Sequence, residues 1–259
     1  MNYWQKRLLA SQYALTDKSV AKINKQLTAY YRQATRRIIA DFEATYDKLL
    51  TTQLDGREPT PADLYKLDKY WKLQGQMRQE LRLLGERQVA MLSKQFEEHF
   101  FEIYYSIALE GEAMFSTLDT AAAQQLINAI WVADGKSWSE RVWQNTELLA
   151  STLNDELINC VAAGKKTTEL KNILQQRFAV SYSNADMLVR TEMAHIQTQA
   201  AQKRYQDYGI QEVEVYVDED ERTCKVCAKH EGEKYPINAQ MPVPFHPRCR
   251  CAMIPVINK

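Results

Sequence analysis

Two short strings near the C-terminal end carry the side chains best suited to chemistry. The first is Cys224-Lys-Val-Cys227; the second is His246-Pro-Arg-Cys249-Arg-Cys251. Two thiolates separated by two residues lie on one tight turn and can reach a single ion. His246 and Cys249, at the same spacing, can close a tetrahedron from a second turn. Zinc suits this donor set, because its filled d shell takes thiolate and imidazole without directional preference. The chain between the turns contains Gly232, Pro236, Pro242 and Pro244 and has no pattern that would hold it as helix or sheet. A metal cross-link supplies that order, and a structural zinc contributes an apparent binding energy of about 10–16 kcal/mol at neutral pH. The plain alternative is cysteines that are merely small buried side chains, and two such pairs closing one loop argue against it. Cys251 is either an alternative ligand to Cys249 or a residue of the adjoining hairpin core. His230 is a spare ligand candidate or a surface residue, and Cys160, between Ile158 and Val161, reads as core.

The ligand pattern reads as structural. A catalytic zinc keeps an open position with a carboxylate nearby. The deaminase signature needs H-x-E with P-C-x-x-C, but Thr223 precedes Cys224 and no H-x-E occurs. His230-Glu231 lacks the second histidine of H-E-x-x-H. A second constellation is Arg190-Thr191-Glu192 with His195 one helical turn on. It can be read as an acid–base pair, or as an ordinary salt bridge on the helix or from helix to metal tip, which is the commoner use of such spacing.

The elements that must position these residues are mostly helical. From Ser19 to about Leu54, apolar residues recur every three or four positions through Val20, Ile23, Leu27, Tyr31, Ile38, Phe42 and Leu49. Asp55-Gly56 should end that helix. Thr60 as N-cap and Pro61 at the first helical position should start a second one through Ile107, with Gly75 and Gly85 as candidate kinks. Two long helices joined by a short loop pack as an antiparallel hairpin. Further helices are expected at 119–133, from Trp138 after the capping box Ser137-x-x-Glu140 to Ala163, from Thr167 to Phe178, and at 184–208 behind Ser183. Val213, Val215 and Val217 then alternate as a strand, and the run from Ala252 to Ile257 can pair with it. The expected fold class is mainly α: a long helical hairpin, then an α+β part with a small zinc-stapled β-hairpin tip. The expected division is 1–135 for the long helices and 136–259 for the remainder.

Composition bounds the rest. Apolar residues make up 45% and charged residues 25% of the chain, and the formal net charge is zero, so no whole-chain field draws in nucleic acid or anionic lipid. Residues 1–40 break that balance, carrying Lys6, Arg7, Lys18, Lys22, Lys25, Arg32, Arg36 and Arg37 against Asp17 alone. This basic arm is a candidate for partner binding, against the plain alternative of a solvated helix face. No segment approaches the roughly 20 apolar residues that span a bilayer, and the first residues lack a signal-peptide core, so a reducing cytoplasm is the expected place of synthesis. The crowding of cysteines into 224–251 fits metal ligation there better than disulfides.

Taken in order, Asp220-Glu-Arg222-Thr-Cys224-x-x-Cys227, Gly232 and Pro244-x-His246-Pro247-x-Cys249-Arg250-Cys251 resemble the Mu F-like head-morphogenesis proteins, the minor head proteins of tailed bacteriophages. Ser139-Glu140-Arg141-Val142-Trp143 and Leu188-Val189-Arg190-Thr191-Glu192 resemble the same family, so the likeness covers about 135–257. The resemblance implies a virion protein that is not an enzyme. It would be made in the host cytoplasm and built into the capsid interior near the portal, with the portal protein, other head proteins and phage DNA as partners. It also implies a structural Zn2+ and structural roles for Arg190, Glu192 and Arg222. Some such proteins carry an appended toxin or transferase domain; the sequence ends at Lys259 just past the hairpin, and none is expected. Two rivals remain: a zinc hydrolase or effector enzyme using Arg190, Glu192 and His195, and a nucleic-acid-binding zinc module. The mixture of Lys225, Lys229, Lys234, Arg248 and Arg250 with Asp218, Glu219, Asp220 and Glu221 at the tip argues against the second.

Overall fold

In a computed structural model, residues 3–50, 60–109, 118–217 and 224–257 are described. The elements are α1 (Tyr3–Leu50), α2 (Pro61–Leu64), α3 (Asp68–Ser106), α4 (Thr120–Ile127), α5 (Trp138–Ala162), α6 (Thr167–Asp207), β1 (Glu212–Tyr216), a short 3-10 turn (Cys227–His230), β2 (Lys234–Pro236) and β3 (Ala252–Pro255). The expected stop at Asp55-Gly56 and the motif residue Arg222 lie outside the described residues.

The mainly α class with a small C-terminal sheet holds, and α1 and α3 run antiparallel, but several boundaries differ. α1 begins at Tyr3, well before Ser19. Thr60 and Pro61 do start a helix, with the Thr60 backbone N–H 3.0 Å from the Asp63 carboxylate, yet it lasts a single turn before α3 restarts at Asp68. α3 then passes through Gly75 and Gly85 as continuous helix. Gly85 serves close packing instead: a Cβ there would lie 2.5 Å from the Trp143 ring. α4 stops at Ile127, because the following residues leave the helix and carry Trp131 onto α6. The two helices expected at 167–178 and 184–208 are one helix, α6. No glycine or proline interrupts it. Ser181 is buried, and its hydroxyl lies 3.1 Å from that of Tyr31, so tertiary packing overrides the capping tendency of Ser183. α6 ends at Asp207, and Gly209 just beyond it has a φ of 73° that permits the 6→1 hydrogen bond from Ile210 N–H to the Tyr205 carbonyl.

Contacts divide the described chain into two compact units, to which α1, α3 and α6 each contribute. One comprises 25–90 and 139–185. Its core is a helical bundle of Leu27, Tyr31, Ile38, Phe42 and Tyr46 with Leu73, Met77, Leu81, Leu84, Leu153, Leu157, Leu174 and Phe178, and Cys160 is fully buried in it. Arg37 on Glu80 and Arg87 on Gln33 fix the antiparallel register of α1 and α3 there.

The other unit comprises 1–24, 91–138 and 186–259 and contains the sheet. Strand order is β2-β1-β3, antiparallel throughout, with Glu214 opposite both Lys234 and Ile254. The expected pairing of the Val213–Val217 run with residues 252 onward is present. β2, three residues of mixed exposure, makes a sheet of what read as a hairpin. Val213, Val215, Met253 and Ile254 are buried, as are Phe96, Phe100, Ile103, Met193, Ile196 and Tyr205 of the helices.

Candidate metal centre

The sheet brings the two cysteine-bearing strings together. The first follows β1: Cys224 starts a tight turn in which the Ala228 N–H bonds to the Cys224 carbonyl at 3.1 Å and the Cys227 N–H points at the Cys224 sulfur at 3.4 Å. The second precedes β3: the Cys249 N–H bonds to the His246 carbonyl at 3.1 Å, with Arg248 at a φ of 62° making the turn. The His246 Nε2 lies 3.1 Å from the Cys224 Sγ and 3.0 Å from the Cys227 Sγ. The Cys227 Sγ lies 3.7 Å from the Cys249 Sγ. Two donor groups result, Cys224–Cys227–His246 and Cys227–Cys249–Cys251, each with its atoms within 4.8 Å of one another. Cys227 belongs to both, so the five residues form one cluster that could hold a metal ion.

The donor chemistry fits such an ion. The His246 Nδ1 lies 2.8 Å from the Pro247 carbonyl, which can only accept, so Nδ1 carries the proton and Nε2 presents its lone pair to the sulfurs. The Cys227–Cys249 separation matches the edge of roughly 3.8 Å that zinc–sulfur bonds of about 2.3 Å impose on a tetrahedron. The nitrogen–sulfur edges are tighter than that, and an ion would spread them. Backbone N–H donation from Cys227 lowers the Cys224 thiol to about 7. The Cys251 thiol donates to Cys249, which pulls Cys249 down to about 5 and holds Cys251 well above the ordinary thiol range. Burial raises Cys227 to about 12. His246 is raised despite its burial, because the Pro247 carbonyl and the thiolates of Cys249 and Cys224 outweigh desolvation. His230 stands apart from the donor groups, 2.8 Å from Glu233 and stacked on Phe245 at 4.1 Å.

Arginines on the second turn tie the cluster to the helices. The Arg248 guanidinium reaches Asp186 of α6 at 3.0 Å, and its backbone N–H donates to the Thr191 hydroxyl at 3.1 Å. Arg250 pairs with Asp17 of α1. A cavity of about 340 Å³ opens beside the cluster, lined by Asp17, Asp186, Arg190, Arg248, Arg250 and Cys249 among others, with its arginines and aspartates engaged with one another.

Arg190 does not join Glu192 and His195, which both meet Trp131. The Arg190 Nε lies on the Asp186 carboxylate at 2.9 and 3.1 Å. Glu192 is 1% exposed and accepts from the Trp131 indole N–H at 3.0 Å. His195 is 4% exposed and stacks on the Trp131 ring at 4.3 Å and 10°. Glu192 thus holds the segment after α4, while Asp186 and Thr191 hold the metal turn. The roles of Asp17, Trp131 and Asp186 escaped the sequence reading. Asp186, four residues before Arg190, was the one with a local signal. Of the basic arm, Lys22 meets Glu98 at 2.8 Å and Arg37 meets Glu80 at 3.0 Å. Lys18, Lys25, Arg32 and Arg36 are exposed, with no ion pair among the described residues.

Residues 151–254, from the middle of α5 to β3, match the family model of phage Mu protein F like proteins. A curated relative from Enterococcus faecalis, the NAD(+)--arginine ADP-ribosyltransferase EFV, is 21% identical over an alignment covering 100% of this chain and 55% of that protein. The chain therefore spans about half the length of the curated relative it matches. No solved structure matches the chain. Among the described residues, no helix is long and apolar enough to cross a membrane.

Proposed function

We propose that this chain, whose residues 151–254 match the family model of phage Mu protein F like proteins, is a minor head protein of a tailed phage. It is made in the host cytoplasm and built into the capsid interior beside the portal, where it takes part in head morphogenesis and in DNA packaging or ejection. The observation that carries this reading is that the family match encloses the whole metal cluster together with α6, the helix that anchors it. In this reading residues 1–135 serve docking and residues 136–259 hold the metal, while each compact unit draws on both stretches.

The ion is Zn2+ in a structural role, held by Cys224, Cys227, His246 and Cys249, with Cys251 as the alternative fourth ligand. Thiolate-rich closure of this kind fixes loops that have little hydrogen bonding of their own. The docking face lies on α1, where Lys18, Lys25 and Arg32 recur at seven-residue spacing with Lys22 and Arg36 beside them, so one side of the helix is a row of cations. Its partners are the portal protein, other head proteins and, along the same row, phage DNA.

No enzymatic role is proposed. The transferase activity named for the Enterococcus relative belongs to a protein about twice as long. Here Arg190 is turned to Asp186, Glu192 to the Trp131 indole N–H and His195 to the Trp131 ring. The test is to co-express the chain with a tagged portal protein from the same phage and isolate the portal. Co-purification that weakens with salt is expected; a portal that never retains the chain would refute the placement.

A further inference from the structure

We propose that the metal centre and the first turns of α1 form one cooperative unit, with Arg250 as the positioning residue between them. Gln5, Leu9, Tyr13 and Asp17 recur every four residues and so share one face of α1. All four meet the segment 250–255, in reverse order. The Gln5 Nε2 donates to the Pro255 carbonyl at 3.1 Å. Leu9 packs with Ala252 and Ile254 in a small apolar cluster that Tyr13 and Tyr216 border. The Tyr13 hydroxyl donates to the Arg250 carbonyl at 2.9 Å, and the Arg250 guanidinium lies over the Tyr13 ring at 5.5 Å. The same guanidinium holds the Asp17 carboxylate through both terminal nitrogens at 3.3 Å.

Arg250 stands between Cys249 and Cys251 in sequence, so its position follows from how those cysteines are held. The turn before it is held to α6 through Arg248 on Asp186 and Thr191, and a bound ion would add the cross-link to the 224–227 turn. From Gln12 onward α1 gains other support, with the fully buried Gln12 accepting from Gln197 at 3.4 Å and the Thr16 hydroxyl 3.2 Å from His99 and 2.6 Å from Gln197. Residues 3–13 also rest on segment 250–255, whose β3 part is paired with β1. They are the terminal turns of α1, where local opening costs least, and loss of the ion loosens the Arg250 contacts that steady them. Metal occupancy therefore decides whether Tyr3, Trp4, Lys6 and Arg7 are presented in a fixed place or on a loose end.

This inference rests on the metal reading, and the experiment separates the two. Zinc content and amide exchange by mass spectrometry are measured on the full chain as purified, after stripping with 1,10-phenanthroline, and on Arg250→Gln. Stripping should speed exchange in residues 3–13 and 225–255 by about tenfold or more while leaving 25–50 unchanged. Arg250→Gln should keep its zinc and still speed exchange in 3–13. A native protein without metal overturns the metal reading and this inference together. Zinc present, with residues 3–13 equally protected in the stripped protein or in Arg250→Gln, overturns the coupling alone, as does loss of protection spread evenly over α1.

Discussion

At the scale of single residues, burial decides what the conspicuous polar groups do. His195 lies against Trp131 with neither ring nitrogen hydrogen-bonded among the described residues, and burial pushes its pKa down to about 4. The unfolded chain takes up this proton near 6.5, whereas the folded chain refuses it until about 4. Stability is therefore undiminished above pH 6.5 and falls as the pH drops from 6.5 toward 4, by up to about 3 kcal/mol from this group. His99, pushed down to about 3 by burial, adds to the same acid limb. His195→Phe should keep the ring stack and flatten part of that limb, which urea unfolding at a series of pH values would measure; an unchanged slope would count against the buried neutral imidazole. Glu192 gives a companion prediction. Gln can still accept from the Trp131 indole, so Glu192→Gln should be mild, whereas Glu192→Ala strands a buried N–H and should cost about 1–3 kcal/mol. Equal losses for the two variants in denaturant titration would show that the charge, not the acceptor, matters. The cysteine–histidine cluster was legible in the sequence because donor spacing is local, written in residue types a few positions apart. The triad of Trp131, Glu192 and His195 was not, because it exists only once the segment after α4 has folded onto α6.

At the scale of elements, the apolar stripes of α1 and α3 announced themselves, but their interruptions did not. Gly85 looked like a weak point in a helix and is instead where the Trp143 ring meets the α3 backbone. Gly85→Ala should destabilise the bundle by about 1–3 kcal/mol through overpacking, against the small gain alanine brings to an exposed helix position. Trp143→Leu in the same chain should recover most of the loss, and thermal melts of the single and double variants would check it; additive effects would show that the two residues are not in contact. α6 read as two helices because Ser183 resembles a cap, yet the decisive interaction, Ser181 with Tyr31, links positions 150 residues apart. β2 has only three residues, too few for a periodicity to mark it. The first turns of α1 went unread for the same reason: their apolar face is short, and what it packs on lies at the other end of the chain.

At the scale of the whole molecule, the proposed function is that of a helical protein whose cysteine–histidine cluster holds a metal that fixes a presenting surface and whose exposed cations dock it in a phage head. α1 supplies Leu9, Val20, Ile23, Leu27, Tyr31 and Ile38 to buried positions, so deleting residues 1–40 would remove core as well as charge. Substituting only the exposed cations Lys18, Lys25, Arg32 and Arg36 with glutamine leaves those core contacts in place. The four-glutamine variant should melt within a few degrees of wild type, because surface changes away from packed features rarely exceed about 0.5 kcal/mol each. The most direct measurement is quantitative mass spectrometry of purified procapsids assembled with the other head proteins of the same phage, with wild type and the four-glutamine variant in parallel. The account predicts wild-type chain present at a fixed low ratio to the portal, carrying about one zinc per chain, and the variant depleted several-fold. Procapsids that form with no trace of the wild-type chain would contradict it.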